Sequence, residues 1–149
     1  MFEFALVSVS IFGFGDWYCS PEPSYEGGIR ESIHTHVVTH EDLSYDESII
    51  LQYQMEDADR TQSQLRVFVS GEKNVIGNDF TVHPQEIKIS VDFDKIEMFT
   101  PEFLQVAQDF YLEDSGVIEV VDVNEQEMKL RSKEAGNEIV CQSSPGFNQ

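Results

Sequence analysis

The sequence predicts a mostly β fold of the α+β class, a single-domain antiparallel β sandwich or barrel-like sheet with one α-helix near residues 101–113. Short segments in which apolar and polar residues alternate recur along the chain, as expected for strands with one face in a core. A single segment has the 3.6-residue period of an amphipathic helix. The 149 residues are 40% hydrophobic and include 11 Phe and 5 Tyr, enough for one core. We therefore expect a globular domain over residues 1–142 and a disordered tail over residues 143–149.

The first third of the chain predicts two strands joined by a loop. Phe2–Phe14 is apolar on both faces, which is typical of a buried strand. Gly15–Gly28 contains two Pro and three Gly, and this composition predicts a loop. Ile29–His40 alternates with a period of two and predicts a strand. Glu41–Glu47 is then expected to form an acidic turn.

The rest of the chain predicts further strands around one helix. The predicted strands are Ser48–Met55, Gln64–Ser70, Val75–Val82, Glu86–Phe93, Val117–Val121, Glu127–Ser132 and Glu138–Gln142, with a hairpin turn at Gly71–Asn74. Before the helix, Thr100 is suited to cap the first turn, and Pro101 suits the first helical position, where no N–H is needed. Phe103, Ala107 and Phe110 are spaced to form the apolar face of this helix.

Charge restricts the partners that the protein can have. The chain carries 28 Asp and Glu against 9 Lys and Arg, a net charge of −19. A small domain needs a net charge of only about 2–8 in magnitude for solubility. The excess repels nucleic acid and anionic membranes, so neither is expected as a direct partner. It attracts basic surfaces and accelerates association with them, which predicts a basic protein surface as the partner.

The first hypothesis is a small non-enzymatic binding protein that blocks the basic, nucleic-acid-binding surface of a partner such as a nuclease. In charge the chain resembles immunity proteins that cap toxin nucleases, and nucleic-acid mimics with which phages inhibit restriction or CRISPR systems. The loop and the acidic turn supply the predicted partner-binding residues. They are Asp16, Tyr18, Glu22, Tyr25, Glu26, Glu41, Asp42, Asp46 and Glu47. Trp17, within the loop, is expected to be buried.

The second hypothesis is a metal-binding protein or enzyme. His34 and His36 are two residues apart, so they lie on one face of a strand, and Glu41 follows. This spacing after Gly28 resembles the first motif of the cupin family, which implies a metal held by the three side chains inside a β-barrel. Ser48 stands where the family has a glycine, and the second cupin motif is missing. We therefore expect no bound metal or other cofactor, and histidines paired with neighbouring acids.

Motifs for catalysis are missing from the sequence. It contains no G-x-S-x-G, no phosphate-binding glycine loop with a Lys, and no C-x-x-C. We therefore expect no catalytic residue. A third hypothesis, an acidic structural or assembly factor, requires stable self-association.

Cysteine usage and the N-terminal segment predict a cytoplasmic protein. Cys19 and Cys141 lack the spacing of a zinc site or of a disulfide framework, so we expect two reduced thiols; a bridge between them is the alternative. The apolar start carries Glu3 and no Lys or Arg before Arg30, unlike a signal peptide. No apolar run reaches the roughly 20 residues that span a bilayer.

Overall fold

The computed structural model describes residues 15–143, in which eight strands form an antiparallel barrel together with one helix. The predicted fold class is thus confirmed in its barrel-like form. The predicted strand Phe2–Phe14 lies outside the described residues, as does the predicted tail beyond Ser143. No helix in residues 15–143 is long and apolar enough to cross a membrane.

The strands follow one another around the barrel. In chain order the elements are β1 Gly15–Cys19, β2 Ser24–Glu26, β3 Ile29–Thr39, β4 Ser44–Met55, β5 Ser63–Ile76, β6 Asp79–Asp94, α1 Pro101–Tyr111, β7 Ile118–Val123, β8 Glu127–Ser132 and β9 Glu138–Gln142. The order in the sheet is β1-β9-β8-β7-β6-β5-β4-β3, and pairing of β1 with β3 closes the ring. The short β2 pairs with the start of β3. This arrangement is an up-and-down barrel.

β1 and β2 correct the prediction that Gly15–Gly28 is a loop. Both strands are too short, and their surroundings too rich in Gly and Pro, to show a strand period by themselves. They form because β3 supplies backbone hydrogen-bonding partners along its edge. The Trp17 side chain of β1 is 6% exposed and packs in the core, so its predicted burial is confirmed.

Two predicted turns are also wrong in position. β4 begins inside the predicted turn Glu41–Glu47. β5 continues through the predicted turn Gly71–Asn74, and the chain reverses at Gly77, where a φ of 65° suits glycine. Gly71 serves a different purpose, because a Cβ at this position would clash with the carbonyl oxygen of His83 on β6. Gly71 is therefore required for the close approach of two strands and not for a turn.

The helix α1 begins as predicted. Thr100 Oγ1 accepts a hydrogen bond from the Phe103 N–H at 3.1 Å. The helix side chains that are buried or packed against the core are Phe103, Leu104, Ala107 and Tyr111. Phe110, predicted on the apolar face, is 64% exposed. The core-facing stripe is therefore rotated away from Phe110, which contacts the neighbouring Tyr111 ring instead.

Two clusters of side chains fill the interior. The first joins β4, β5 and the segment around the helix, and its buried members are Tyr45, Ile49, Leu51, Tyr53, Leu65, Val67, Val69 and Phe99. The second joins β1 to β6 and the last three strands, and its buried members are Trp17, Phe80, Val120, Met128 and Cys141. Burial of these apolar surfaces is the main source of stability.

The barrel closes at a short joint that carries a disulfide. β1 pairs with β9 only through Tyr18 opposite Gln142 and Cys19 opposite Cys141. The two cysteines are bonded, with an S–S distance of 2.07 Å. The expectation of two reduced thiols is therefore wrong. Closure of the sheet brings together residues that are 122 positions apart, and no local pattern in the sequence reveals such a contact.

We expect the double substitution Cys19→Ser and Cys141→Ser to lower the free energy of unfolding by about 2–5 kcal/mol. The bridge restricts a loop of 122 residues in the unfolded chain and holds the narrow joint in the folded one. Urea unfolding followed by circular dichroism measures the change. Reductant should bring the wild-type protein to the stability of the variant and leave the variant unaffected. Equal stability of the oxidised wild-type protein and the variant would contradict this role.

Candidate functional site

The structure distributes the predicted partner-binding residues over two ends of the barrel. Asp16 on β1 pairs near the end of β3, whereas Tyr25 and Glu26 on β2 pair with its first residues. At about 3.3 Å per residue, the two groups are roughly 25–30 Å apart. Tyr25 is 67% exposed, as an interface residue requires. The single predicted surface is therefore two separate ones.

Four of the predicted residues lie together where β3 turns into β4. We call this set, Asp16, Glu41, Asp42 and Asp46, the acidic end. In the sheet register Asp16 and Asp46 flank Val38 of β3 on its two sides. Glu41 and Asp42 are exposed in the turn that follows β3. The sheet thus presents all four carboxylates at one rim of the barrel.

Histidines are the basic residues next to the acidic end. His36 Nε2 lies 2.8 Å from Asp16 Oδ1, and His40 Nε2 lies 3.0 Å from Asp46 Oδ2. The Tyr18 ring stacks on His36 with 4.2 Å between centroids and 2° between planes, which orients the imidazole. Within residues 15–143, none of the ion pairs formed by Lys or Arg includes a carboxylate of the acidic end.

Asp42 is held ionised by the turn itself. Its Oδ1 accepts hydrogen bonds from the Ser44 hydroxyl at 2.6 Å and from the Ser44 backbone N–H at 2.9 Å. These donors favour the carboxylate form and hold the pKa of Asp42 below its usual value. The turn therefore carries a fixed negative charge at neutral pH.

Glu47 does not belong to the predicted surface. Strand alternation directs it inward between Tyr45 and Ile49, both 2% exposed, and it lines a cavity inside the barrel. Burial raises the pKa of this carboxyl, and the nearby Lys73 partly offsets the effect. The assignment of Glu47 to partner binding is thus corrected, because the acidic turn ends before it.

The same cavity contains a residue that sequence reasoning missed. Lys73 continues the inward face of β5, two residues after Gly71, and lines the cavity with Glu47 and Tyr45. The sequence does contain a pattern that indicates its position, because every second residue of β5 faces inward up to Lys73. The wrongly placed hairpin turn at Gly71–Asn74 concealed that alternation.

Tyr18 and Glu22 line a groove on the outer surface. The groove has a volume of about 840 Å³ and lies between the β1–β2 connection and the outer faces of β3 and β4. His34 and Arg30 also line it, and Ser20 Oγ is 3.0 Å from His34 Nδ1. This groove mixes both signs of charge and so differs from the acidic end.

The histidines of the cupin-like spacing do not form a metal centre. His34 lines the outer groove and His36 pairs with Asp16, while Glu41 lies in the turn beyond the strand. The inward positions of β3 are instead occupied by residues such as Ile33. In the part of the chain that the structure describes, no group of three or more His, Cys, Asp or Glu side chains could hold a metal ion.

No protein family model matches the chain, and no curated protein matches it. Function is therefore inferred from the chemistry of the residues.

We expect Glu47→Gln to raise the melting temperature at pH 7, because it removes the cost of burying an ionised carboxylate. Since burial raises the pKa of Glu47 in the folded state, the folded protein holds this proton more tightly than the unfolded chain does. The stability that the group contributes is then present in acid and is lost as the pH rises through the folded pKa.

The increase in melting temperature of Glu47→Gln over the wild-type protein should accordingly shrink as the pH falls towards the ordinary Glu pKa of 4.5. Thermal melts from pH 4.5 to pH 7 measure this, with the outward-facing Asp46→Asn as the matched control. A Glu47→Gln variant that melts below the wild-type protein at pH 7 would show that the ionised carboxylate is stabilising.

Proposed function

We propose that this chain is a non-enzymatic binding protein whose acidic end docks on a basic surface of a partner protein and blocks it. One observation carries the proposal: four carboxylates share one rim without a Lys or Arg partner in residues 15–143, in a chain with a net charge of −19. Surface carboxylates that no Lys or Arg neutralises attract cationic side chains over long distances and accelerate docking.

A nucleic-acid-binding protein, such as a nuclease, is the partner class that this chemistry fits. Carboxylates spaced along a rim compete with phosphates for the Lys and Arg that hold nucleic acid. The protein would then act as immunity proteins and phage anti-defence mimics do, including inhibitors of CRISPR systems. The neighbouring histidines support the proposal, because their contacts with Asp16 and Asp46 keep these two carboxylates in place at the rim.

A cytoplasmic location remains a prediction, and the disulfide is evidence against it. Disulfides persist in oxidising compartments and are rare in the cytosol. Cell fractionation combined with labelling of free thiols would locate the protein and show the state of Cys19 and Cys141 where it acts.

We expect partners captured by the full-length protein to be basic and to be released as salt rises from 0.1 to about 0.5 M, because salt screens exposed charges. Neutralising the acidic end with Asp16→Asn, Glu41→Gln, Asp42→Asn and Asp46→Asn should weaken binding of such a partner at least about tenfold, mainly through the association rate. Surface plasmon resonance at several salt concentrations measures both effects.

The matched control neutralises four exposed acids at the opposite end of the barrel, Glu56, Asp57, Asp59 and Glu97. This variant has the same net charge as the first and should retain most of the affinity. An affinity that does not depend on salt contradicts the electrostatic mechanism. Equal losses of affinity in the two variants contradict the assignment of partner docking to the acidic end.

A further inference from the structure

The interior of the barrel contains a cavity that is separate from the acidic end. Its volume is about 220 Å³, and side chains from opposite sides of the barrel line it. The apolar wall includes Trp17, Phe80, Met128 and Leu130. A dry engineered cavity of about 150 Å³ admits benzene. The volume therefore suits a molecule with one ring and a short polar substituent.

Four polar side chains also line this cavity, and they are Thr35, Tyr45, Glu47 and Lys73. Tyr45 is 2% exposed, and its buried hydroxyl has no hydrogen-bond partner among residues 15–143. Lys73 Nζ donates one hydrogen bond, to Thr39 Oγ1 at 2.8 Å, and an ammonium group has three hydrogens to donate. An unpartnered buried hydroxyl costs free energy, so it points to a missing hydrogen-bonding group.

Lys73 and Glu47 carry opposite charges but are not in contact. Each lines the cavity and influences the pKa of the other, yet no ion pair within 4 Å joins them in the described part of the chain. Burial lowers the pKa of Lys73 to about 8, so the group is still mostly protonated at neutral pH. The Lys73 ammonium lies 5.0 Å from the centre of the Phe80 ring and 5.9 Å from that of Tyr45.

The two opposite charges determine which of the molecules that fit the cavity would bind there. A lone carboxylate would pair with Lys73 but would place a second negative charge beside Glu47. A lone amine would pair with Glu47 and would be repelled by Lys73. A molecule that carries both groups satisfies the two buried charges and leaves the cavity neutral, as two unpaired buried charges require.

We propose that the interior cavity binds a small zwitterion with an apolar side chain, of the size of an aromatic amino acid. Its carboxylate accepts hydrogen bonds from Lys73 and Tyr45, its ammonium donates to Glu47, and its side chain packs against Trp17 and Phe80. The site is independent of the acidic end and goes beyond the proposed docking function.

Three related probes test the proposal on the full-length, disulfide-bonded protein: L-phenylalanine, 3-phenylpropionate, which lacks the amine, and 2-phenylethylamine, which lacks the carboxylate. Isothermal titration calorimetry at pH 7 gives the affinities. Trp17 is the only tryptophan, so its fluorescence reports occupancy of the cavity. L-Phenylalanine should bind with a fluorescence change, and each of the other two probes should bind at least tenfold more weakly.

Variants then locate the bound probe. Lys73→Met and Glu47→Gln should each weaken L-phenylalanine binding at least tenfold. The outward-facing Lys88→Met and Asp46→Asn, and the variant with a neutralised acidic end, should bind as the wild-type protein does. Thermal melts establish that each variant is folded, and the probe comparison on the wild-type protein needs no variant.

Several results would overturn the proposal. They are no saturable binding of L-phenylalanine, equal binding of 3-phenylpropionate or 2-phenylethylamine, and undiminished binding in folded Lys73→Met and Glu47→Gln variants. The first would show a cavity that holds only water, and the second that one of the two charges is not used. The third would place the probe elsewhere on the protein.

Discussion

Closure of the barrel by β1 is the constraint on which the rest of the structure depends. This five-residue strand pairs with β3 over its whole length but with β9 over only two residues, one of them the disulfide-bonded Cys19. The β6–β7 joint is equally short, since it also consists of two residue pairs. A closed sheet leaves no unpaired edge, and at the β1–β9 joint a covalent bond reinforces the short hydrogen-bonded ladder.

Both proposed sites depend on that closure. Asp16, Trp17 and Cys19 are close neighbours in β1, yet the strand directs Asp16 to the acidic rim and Trp17 into the cavity wall. The same alternation on β4 separates Asp46, which faces outward, from Glu47, which faces inward. Neighbouring acidic residues of one strand therefore lie in two environments, one on the outer surface and one inside the barrel.

Elements with a strong local signal could be predicted from the sequence. The helix follows from Thr100 and Pro101, and β8 and β9 were predicted with their observed bounds because alternation and turn residues agree there. β1 could not be predicted, since its pairing with β3 and β9 is a property of the closed sheet. The Cys19–Cys141 bond could not be predicted for the same reason.

The residues of the candidate sites also divide into those with a local sequence pattern and those whose position depends on the closed sheet. The position of Glu41 and Asp42 in a turn could be predicted because charge and turn composition are local, whereas their role in partner binding stays a prediction. The interior site could not be predicted, because local composition indicates a turn at Glu47 and another at Gly71–Asn74, which includes Lys73. Gly71 is required by close packing of β5 against β6, and only the strand register shows this. Whether a side chain points into or out of the barrel thus depends on where its strand begins.

Native-state hydrogen exchange, followed by mass spectrometry or NMR, tests the closing role of β1 most directly. The measurement compares the oxidised protein with the Cys19→Ser and Cys141→Ser variant under native conditions. If the disulfide holds a short joint, the amides of β1 and β9 lose protection first, while those of β4 and β5 keep theirs. Unchanged protection in β1 and β9, or an equal loss throughout the barrel, would contradict the account.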